Sequence, residues 1–81
     1  MIPEEDHAMT VNDIVTVAYV DGGHITAYLG TVFAYAEGYD EMIKKIIDQC
    51  QIREASMVIN FQINMSGFFY GYGTAVRVER P

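Results

Sequence analysis

The sequence predicts an α+β domain, with one amphipathic helix packed on one face of an antiparallel β-sheet, in the order ββαββ and in two layers. Three observations carry this. Apolar residues between 40 and 55 recur at three- and four-residue steps, the period of a helix. The stretches on either side are rich in β-branched and aromatic residues and are punctuated by glycine turns. The chain has 81 residues and is 51% hydrophobic, a size for one small domain and too apolar for a disordered chain.

Ile14-Val-Thr-Val-Ala-Tyr-Val20 is β-branched and apolar and ends at Asp21-Gly22-Gly23, a turn signal. The run from His24 to Tyr35 has the same character, so the two are predicted to pair as a hairpin. Gly30 within the second strand predicts a bulge or a close backbone approach. From Asp40 to Ala55, Ile43, Ile46, Ile47 and Cys50 form one apolar stripe with Met42 on its edge. Asp40 is the predicted N-cap, with Glu41 near the positive helix end. Glu41 with Lys45, and Lys44 with Asp48, are opposite charges four residues apart, each pair worth about 0.3 kcal/mol.

Met57 to Met65 alternates, which places Met57, Ile59, Phe61, Ile63 and Met65 on one face and Val58, Asn60, Gln62 and Asn64 on the other. Ser66-Gly67 suits a tight turn. Phe69 to Glu79 returns with Tyr70, Tyr72, Thr74, Val76 and Val78 on one face. Gly71, Gly73 and Ala75 on the opposite face leave room for large side chains or another backbone.

Residues 1–10, with Glu4, Glu5 and Asp6, read as an acidic N-terminal tail, and 11–81 as a single domain. The first ten residues lack a basic cap, an apolar run and a cleavage site, so the cytoplasm is the expected compartment. Residues 55–76 contain no charged side chain, a length of 22 that would span a membrane. Asn60, Gln62 and Asn64 inside that stretch speak against a lipid-embedded helix, and a hairpin contributed to a multi-chain barrel ranks last. No membrane partner is expected. Eleven acidic against five basic residues, net -6, exclude binding to a nucleic-acid backbone. A single cysteine excludes an internal disulfide and a Cys-rich zinc site.

A chain of this mass loses about 8,000 Å² of accessible surface on folding. Its apolar part contributes about 120 kcal/mol, and ordering the chain at about 1.5 kcal/mol per residue costs about the same. A lone subunit is therefore marginal. One helix covers one sheet face, and the other carries amides and aromatics, so another subunit is expected to cover it.

Metal ligation needs convergent His, Cys or carboxylate ligands, and His7, His24 and Cys50 are far apart in sequence, so no metal site is assigned. Cys50 lies on the apolar stripe as a small core residue, and His24 reads as an exposed strand end, although a ring of copies could gather several His24 side chains. Ser56 and Ser66 have no nearby base, and Gly71-Tyr-Gly-Thr74 is not a phosphate loop. The expectation is that the chain is not an enzyme and holds no cofactor. Asn60, Gln62, Asn64, Tyr70 and Tyr72, beside Phe68 and Phe69, are the candidate functional surface. Tyrosine with amides suits a subunit interface first and a small-molecule pocket second.

Ile25-Thr-Ala-Tyr-Leu-Gly-Thr-Val32 is similar to the strand with a Leu-Gly-x-Val element in the YbjQ-like family of small bacterial proteins, labelled heavy-metal binding. Gly73-Thr-Ala-Val76 resembles that family's signature on its last strand, and Glu54-Ala55-Ser56 stands at its helix exit. Dodecin-like and YdgH-like domains share a related strand and helix plan. The YbjQ-like resemblance covers residues 25–80 and implies a homo-oligomer, with a pentamer favoured. Its function would be that of a structural or interaction module, or alternatively of a small-molecule or metal binder at sites formed between subunits. The chain departs from the family in three respects: Glu54 replaces a glycine, Gln62 and Asn64 stand where carboxylates are usual, and the segment before the helix is short. The amides weaken the metal label.

Overall fold

The computed structural model describes residues 9–20 and 22–79. A 3-10 turn at Val11–Asp13 leads to strand β1 (His24–Ala36), helix α1 (Tyr39–Ile52), strand β2 (Met57–Met65) and strand β3 (Phe69–Glu79). The strands form one antiparallel sheet in the order β1-β3-β2, with the helix packed on one face. The fold is α+β, as the periodicities predict. The acidic cluster and His7 lie outside the described residues, and Met9 is buried in the core.

The expected hairpin between 14–20 and β1 does not form. Ile14 makes a parallel bridge to Val58, Val15 N–H donates to Val58 C=O at 2.9 Å, and Phe61 and Asn60 N–H donate to Val15 and Val17 C=O. The segment thus lies along the outer edge of β2, at the other side of the sheet. A hairpin through the Gly22-Gly23 turn would carry Ile14 toward Leu29 and Gly30, where Arg53 already occupies the outer edge of β1. Lys45 and Gln49 on α1 and Arg53 at its C-cap, spaced four residues apart, reach that edge in succession. Lys45 Nζ donates to Tyr35 C=O at 3.2 Å, and Arg53 Nη1 to Thr31 and Leu29 C=O at 3.1 and 2.9 Å. Between them the Gln49 amide takes the N–H of Phe33 and donates to its C=O, imitating a strand's pairing.

The helix begins two residues earlier than the predicted N-cap at Asp40 requires. Gly38, in extended conformation, is its N-cap, and Asp40 and Glu41 occupy the first turn. Met42, Ile43, Ile46 and Cys50 are buried, and both predicted charge pairs are present, Lys44–Asp48 at 3.1 Å and Lys45–Glu41 at 3.8 Å. The helix ends in a Schellman motif, with Ala55 N–H donating to Cys50 C=O at 2.8 Å and Glu54 N–H to Gln51 C=O at 3.1 Å. Glu54 holds the left-handed position (φ 58°) that glycine usually fills, so its presence does not distort the exit. Arg77 adds bonds from its guanidinium to Glu54 and Arg53 C=O.

The simple alternation expected for β2 breaks at Asn60, which has φ 55° and lies in a register shift between Ile59 and Gln62. One extra residue reverses the side-chain phase. Met57 and Ile59 therefore face away from the helix, whereas Val58 and Phe61 belong to the core beneath it. The predicted grouping of Met57 and Ile59 with Phe61, Ile63 and Met65 is corrected accordingly. In β1, Gly30 (φ 98°) lies in a shift between Tyr28 and Thr31, the bulge its position predicts, and a Cβ there would sit 3.0 Å from Arg53 Nη1.

Small residues let the helix approach. Val32, Ala34 and Ala36 of β1 and Gly71, Gly73 and Ala75 of β3 are buried against it. A Cβ on Gly71 would meet Met42 Sδ and Phe61 Cζ at 2.7 Å, so the core side chains occupy the space that glycine leaves. On the opposite face Val15 and Val20 pack over Met57, Ile59 and Val76, with Ile25 and Val78 at the margin.

Candidate functional site

Beyond the cover of Val15 and Val20, the face opposite the helix carries two rows of side chains across the whole sheet. Strand alternation brings Phe33, Tyr72 and Gln62 into one row through the pairs Phe33–Tyr72 and Gln62–Tyr72. Tyr35, Tyr70 and Asn64 form the next through Tyr35–Tyr70 and Asn64–Tyr70. The rings touch obliquely. Tyr70 lies 5.7 Å from Tyr72 and 6.5 Å from Phe33 between centroids, and Tyr35 lies 6.2 Å from Phe68 in the β2–β3 turn. These separations suit tilted aromatic pairs, each worth about 1 kcal/mol.

The rings nonetheless remain open to solvent, with Tyr35 61% and Phe33 53% exposed. The rows contain no charged side chain. A hollow of about 550 Å³ is lined by Tyr35, Asn64, Ser66, Phe68 and Tyr70, and a second of about 420 Å³ by Thr31, Asn60, Gln62, Tyr72, Gly73 and Thr74. The first offers ring faces with one amide and one hydroxyl, the second a more polar floor.

Of the residues singled out from the sequence, Gln62, Asn64, Tyr70 and Tyr72 are brought together on this face. Asn60, displaced by the bulge, borders the second hollow. Phe68 joins the rows through Tyr35, whereas Phe69 turns to the helix side and meets Tyr39 edge-on at 6.0 Å. Phe33 and Tyr35 were not among the sequence candidates. Their signal was the alternation of Val32, Ala34 and Ala36 with bulky rings, small residues on one face and large on the other.

Elsewhere the chemistry is quiet. Burial pushes the Cys50 thiol up to about 11, against the opposing pull of the Arg53 charge, so it stays protonated and unreactive near neutrality. Ser56 Oγ accepts a bond from Val78 N–H at 2.9 Å. His24 lies 3.7 Å from Glu79 at the exposed far end of β1. Among the described residues no three His, Cys, Asp or Glu side chains converge as a metal site, and no helix is long and apolar enough to cross a membrane. No protein-family model matches the chain, and no curated protein matches it significantly.

Proposed function

We propose that this chain is a non-enzymatic module that assembles with copies of itself, using the aromatic and amide face of its sheet as the contact. The observation that carries this is the pair of uncharged rows, Phe33–Tyr72–Gln62 and Tyr35–Tyr70–Asn64, left uncovered among the described residues. Tyrosine and phenylalanine contribute large area at low entropy cost, and the amides supply hydrogen bonds at the margin of such a contact. A chain of net charge -6 repels its own copies over most of its surface, and this face is where that repulsion is weakest. Kinship with the YbjQ-like family, resting on Ile25–Val32 and Gly73–Val76, would arrange the copies in rings of five. Native mass spectrometry tests the assembly directly. The wild-type chain should appear as a multiple of 9.1 kDa, and Tyr72→Arg, which puts a cation into the row, should break it into a smaller species. A Tyr72→Arg variant of unchanged assembly mass refutes the assignment of the face.

The second reading is a small-molecule site. The hollow formed by Tyr35, Phe68 and Tyr70 with Asn64 and Ser66 favours a flat, uncharged ligand that stacks on a ring and bonds an amide. Such a ligand would raise the melting temperature, and Asn64→Ala would cancel the rise. A metal in this setting would have to draw ligands from several copies, for which a ring of His24 and Glu79 pairs is the arrangement to probe with zinc.

A further inference from the structure

The two edges of the sheet are in opposite states. On β1 the outward backbone groups from Leu29 to Tyr35 are met by Lys45, Gln49 and Arg53. On β2 the 14–17 segment occupies the outer side as far as Phe61, whose N–H points out to Val15 C=O. Alternate residues of an antiparallel strand direct their N–H and C=O to the same side. Ile63 and Met65 therefore present theirs outward as well, and among the described residues nothing bonds to them beyond the pairing with β3. Both side chains are exposed, and residues 62–66 themselves include no lysine, proline or charge to protect the edge.

We propose that the open half of β2 pairs with the same edge of a second copy, antiparallel, about a two-fold axis at Asn64. This rests on the reading of the chain as a self-assembling module and adds a seam distinct from the aromatic face. The occupant follows from three features. From Leu29 to Tyr35 the edge of β1 is occupied by its own helix side chains, so head-to-tail joining of β2 to that stretch is unavailable and the uncharged edge left for pairing is that of another β2. Residues 62–65 lie within the 22 residues that carry no charge, so two copies meet here without opposing like charges. A two-fold pairing also closes on itself and leaves no open edge to propagate a fibre.

The register is fixed by the same geometry. Centring the pair on Ile63 would set the partner's Met65 opposite Phe61, where Val15 already sits. Centring it on Asn64 sets Ile63 opposite the partner's Met65, outward group to outward group, and each such pair exchanges two N–H···O bonds. Asn64 then faces its copy as a close, non-bonded backbone pair with both amides on the aromatic face. The row Tyr35–Tyr70–Asn64 continues into the partner's Asn64, and the two hollows lined by Asn64 and Ser66 meet at the axis.

Cysteine crosslinking in a Cys50→Ala background tests this. Non-bonded antiparallel neighbours lie about 4.5 Å apart at Cα, within disulfide reach. Asn64→Cys should therefore oxidise to a covalent dimer with glutathione disulfide, whereas Gln62→Cys, opposite the partner's Ser66, should stay monomeric. Ile63→Pro on top of Asn64→Cys removes one outward N–H without touching the pairing to β3, and should abolish the crosslink while the circular dichroism spectrum stays unchanged. If Asn64→Cys remains monomeric while the wild-type chain still assembles and Tyr72→Arg still disperses it, the edge pairing is wrong and the aromatic-face reading stands. If the wild-type chain is monomeric at every concentration, both fall. Equal crosslinking at 62 and 64 overturns the register. Slow amide exchange at Ile63 and Met65 in a dilute monomer means the chain's own residues cover the edge, which also overturns the proposal. So does protection that appears only when a foreign extended peptide is added to a monomer.

Discussion

The two faces of this sheet are built from the same strands and differ by one residue of phase. Toward the helix, β1 and β3 present Val32, Ala34, Ala36, Gly71, Gly73 and Ala75; away from it they present Phe33, Tyr35, Tyr70 and Tyr72. The difference lies in size more than in hydropathy, since both sets are largely apolar. A helix can close on small residues because its own Met42 and Ile46, with Phe61 from β2, fill the space they leave. On the ring-bearing face the side chains would hold a helix too far away, and among the described residues Val15 and Val20 cover it at one end. Size patterning thus chooses which face the helix covers and leaves the rings of the other exposed.

The sharpest way to break this contrast is to truncate one residue on each face. Ile46 is fully buried, and Ile46→Ala should lower unfolding free energy by about 3 kcal/mol. That is a large part of the roughly 4 to 12 kcal/mol expected of a chain this long. Phe33→Ala on the open face removes a ring contact with Tyr70 and should cost the isolated subunit less than about 1 kcal/mol. Urea titration at a concentration that keeps the chain monomeric separates the two. Equal losses would mean that the open face is also internal.

The alkaline range probes the covered face without a change of volume. The Cys50 thiol titrates near 11 in the folded chain and near its ordinary value when unfolded. Between those values the unfolded chain has lost the proton and the folded chain still holds it, so stability is full below about pH 9 and falls as the pH rises toward 11. The loss should reach about 2 to 3 kcal/mol across that window. Urea midpoints between pH 8 and 11 should show it in the wild type and not in Cys50→Ala, which subtracts whatever the tyrosines contribute. A parallel decline in both proteins would show that Cys50 reaches water.

These two faces were unequally legible in the sequence. The helix was readable because Ile43, Ile46 and Cys50 repeat at its own period, and Gly30 marked the bulge of β1. The glycines of β3 announced a close approach, and Gly71 and Gly73 are where Phe61 and Val58 press closest. The phase of β2 was hidden, because Asn60 looks like any other polar residue in the alternation, and only its left-handed backbone reveals the extra residue. The path of residues 14–20 was hidden for a different reason. A β-branched run states that a strand edge is wanted but not which edge is free, and part of the β1 edge is taken by Lys45, Gln49 and Arg53, 25 residues or more along the chain. The candidate surface was half legible: the amides and tyrosines of β2 and β3 stood out as a cluster, whereas Phe33 and Tyr35 join them only once β1 lies on the far side of β3.

The closed edge can be opened to sharpen the comparison with β2. Gln49→Ala removes both bonds to the Phe33 peptide and should lower stability by about 1 to 2 kcal/mol. It also exposes a second pairing edge, so the variant should gain large species in light scattering that the wild type lacks. If it scatters like the wild type, the bonds from Lys45 and Arg53 suffice to protect β1.

The smallest expected effect is a gain. Glu54 pays the left-handed penalty at the end of the helix, about 1 to 2 kcal/mol for a residue with a Cβ, while making the same two Schellman bonds that glycine would make. Its carboxylate lies 3.9 Å from Arg77 with both groups well exposed, a contact too solvated to offset the strain. The bonds from Arg77 go to the backbone carbonyls of Arg53 and Glu54 and survive the substitution. Against this, glycine enlarges the freedom of the unfolded chain, which returns part of the gain. Glu54→Gly should therefore raise stability by about 0.5 to 1 kcal/mol, read as a higher melting temperature in the monomeric state. Because the residue belongs to the covered side and touches neither the aromatic rows nor the open edge of β2, the mass of the assembled species should not change. A variant that melts higher and also assembles differently would show that the helix exit communicates with the open face, and the separation of the two faces would fail.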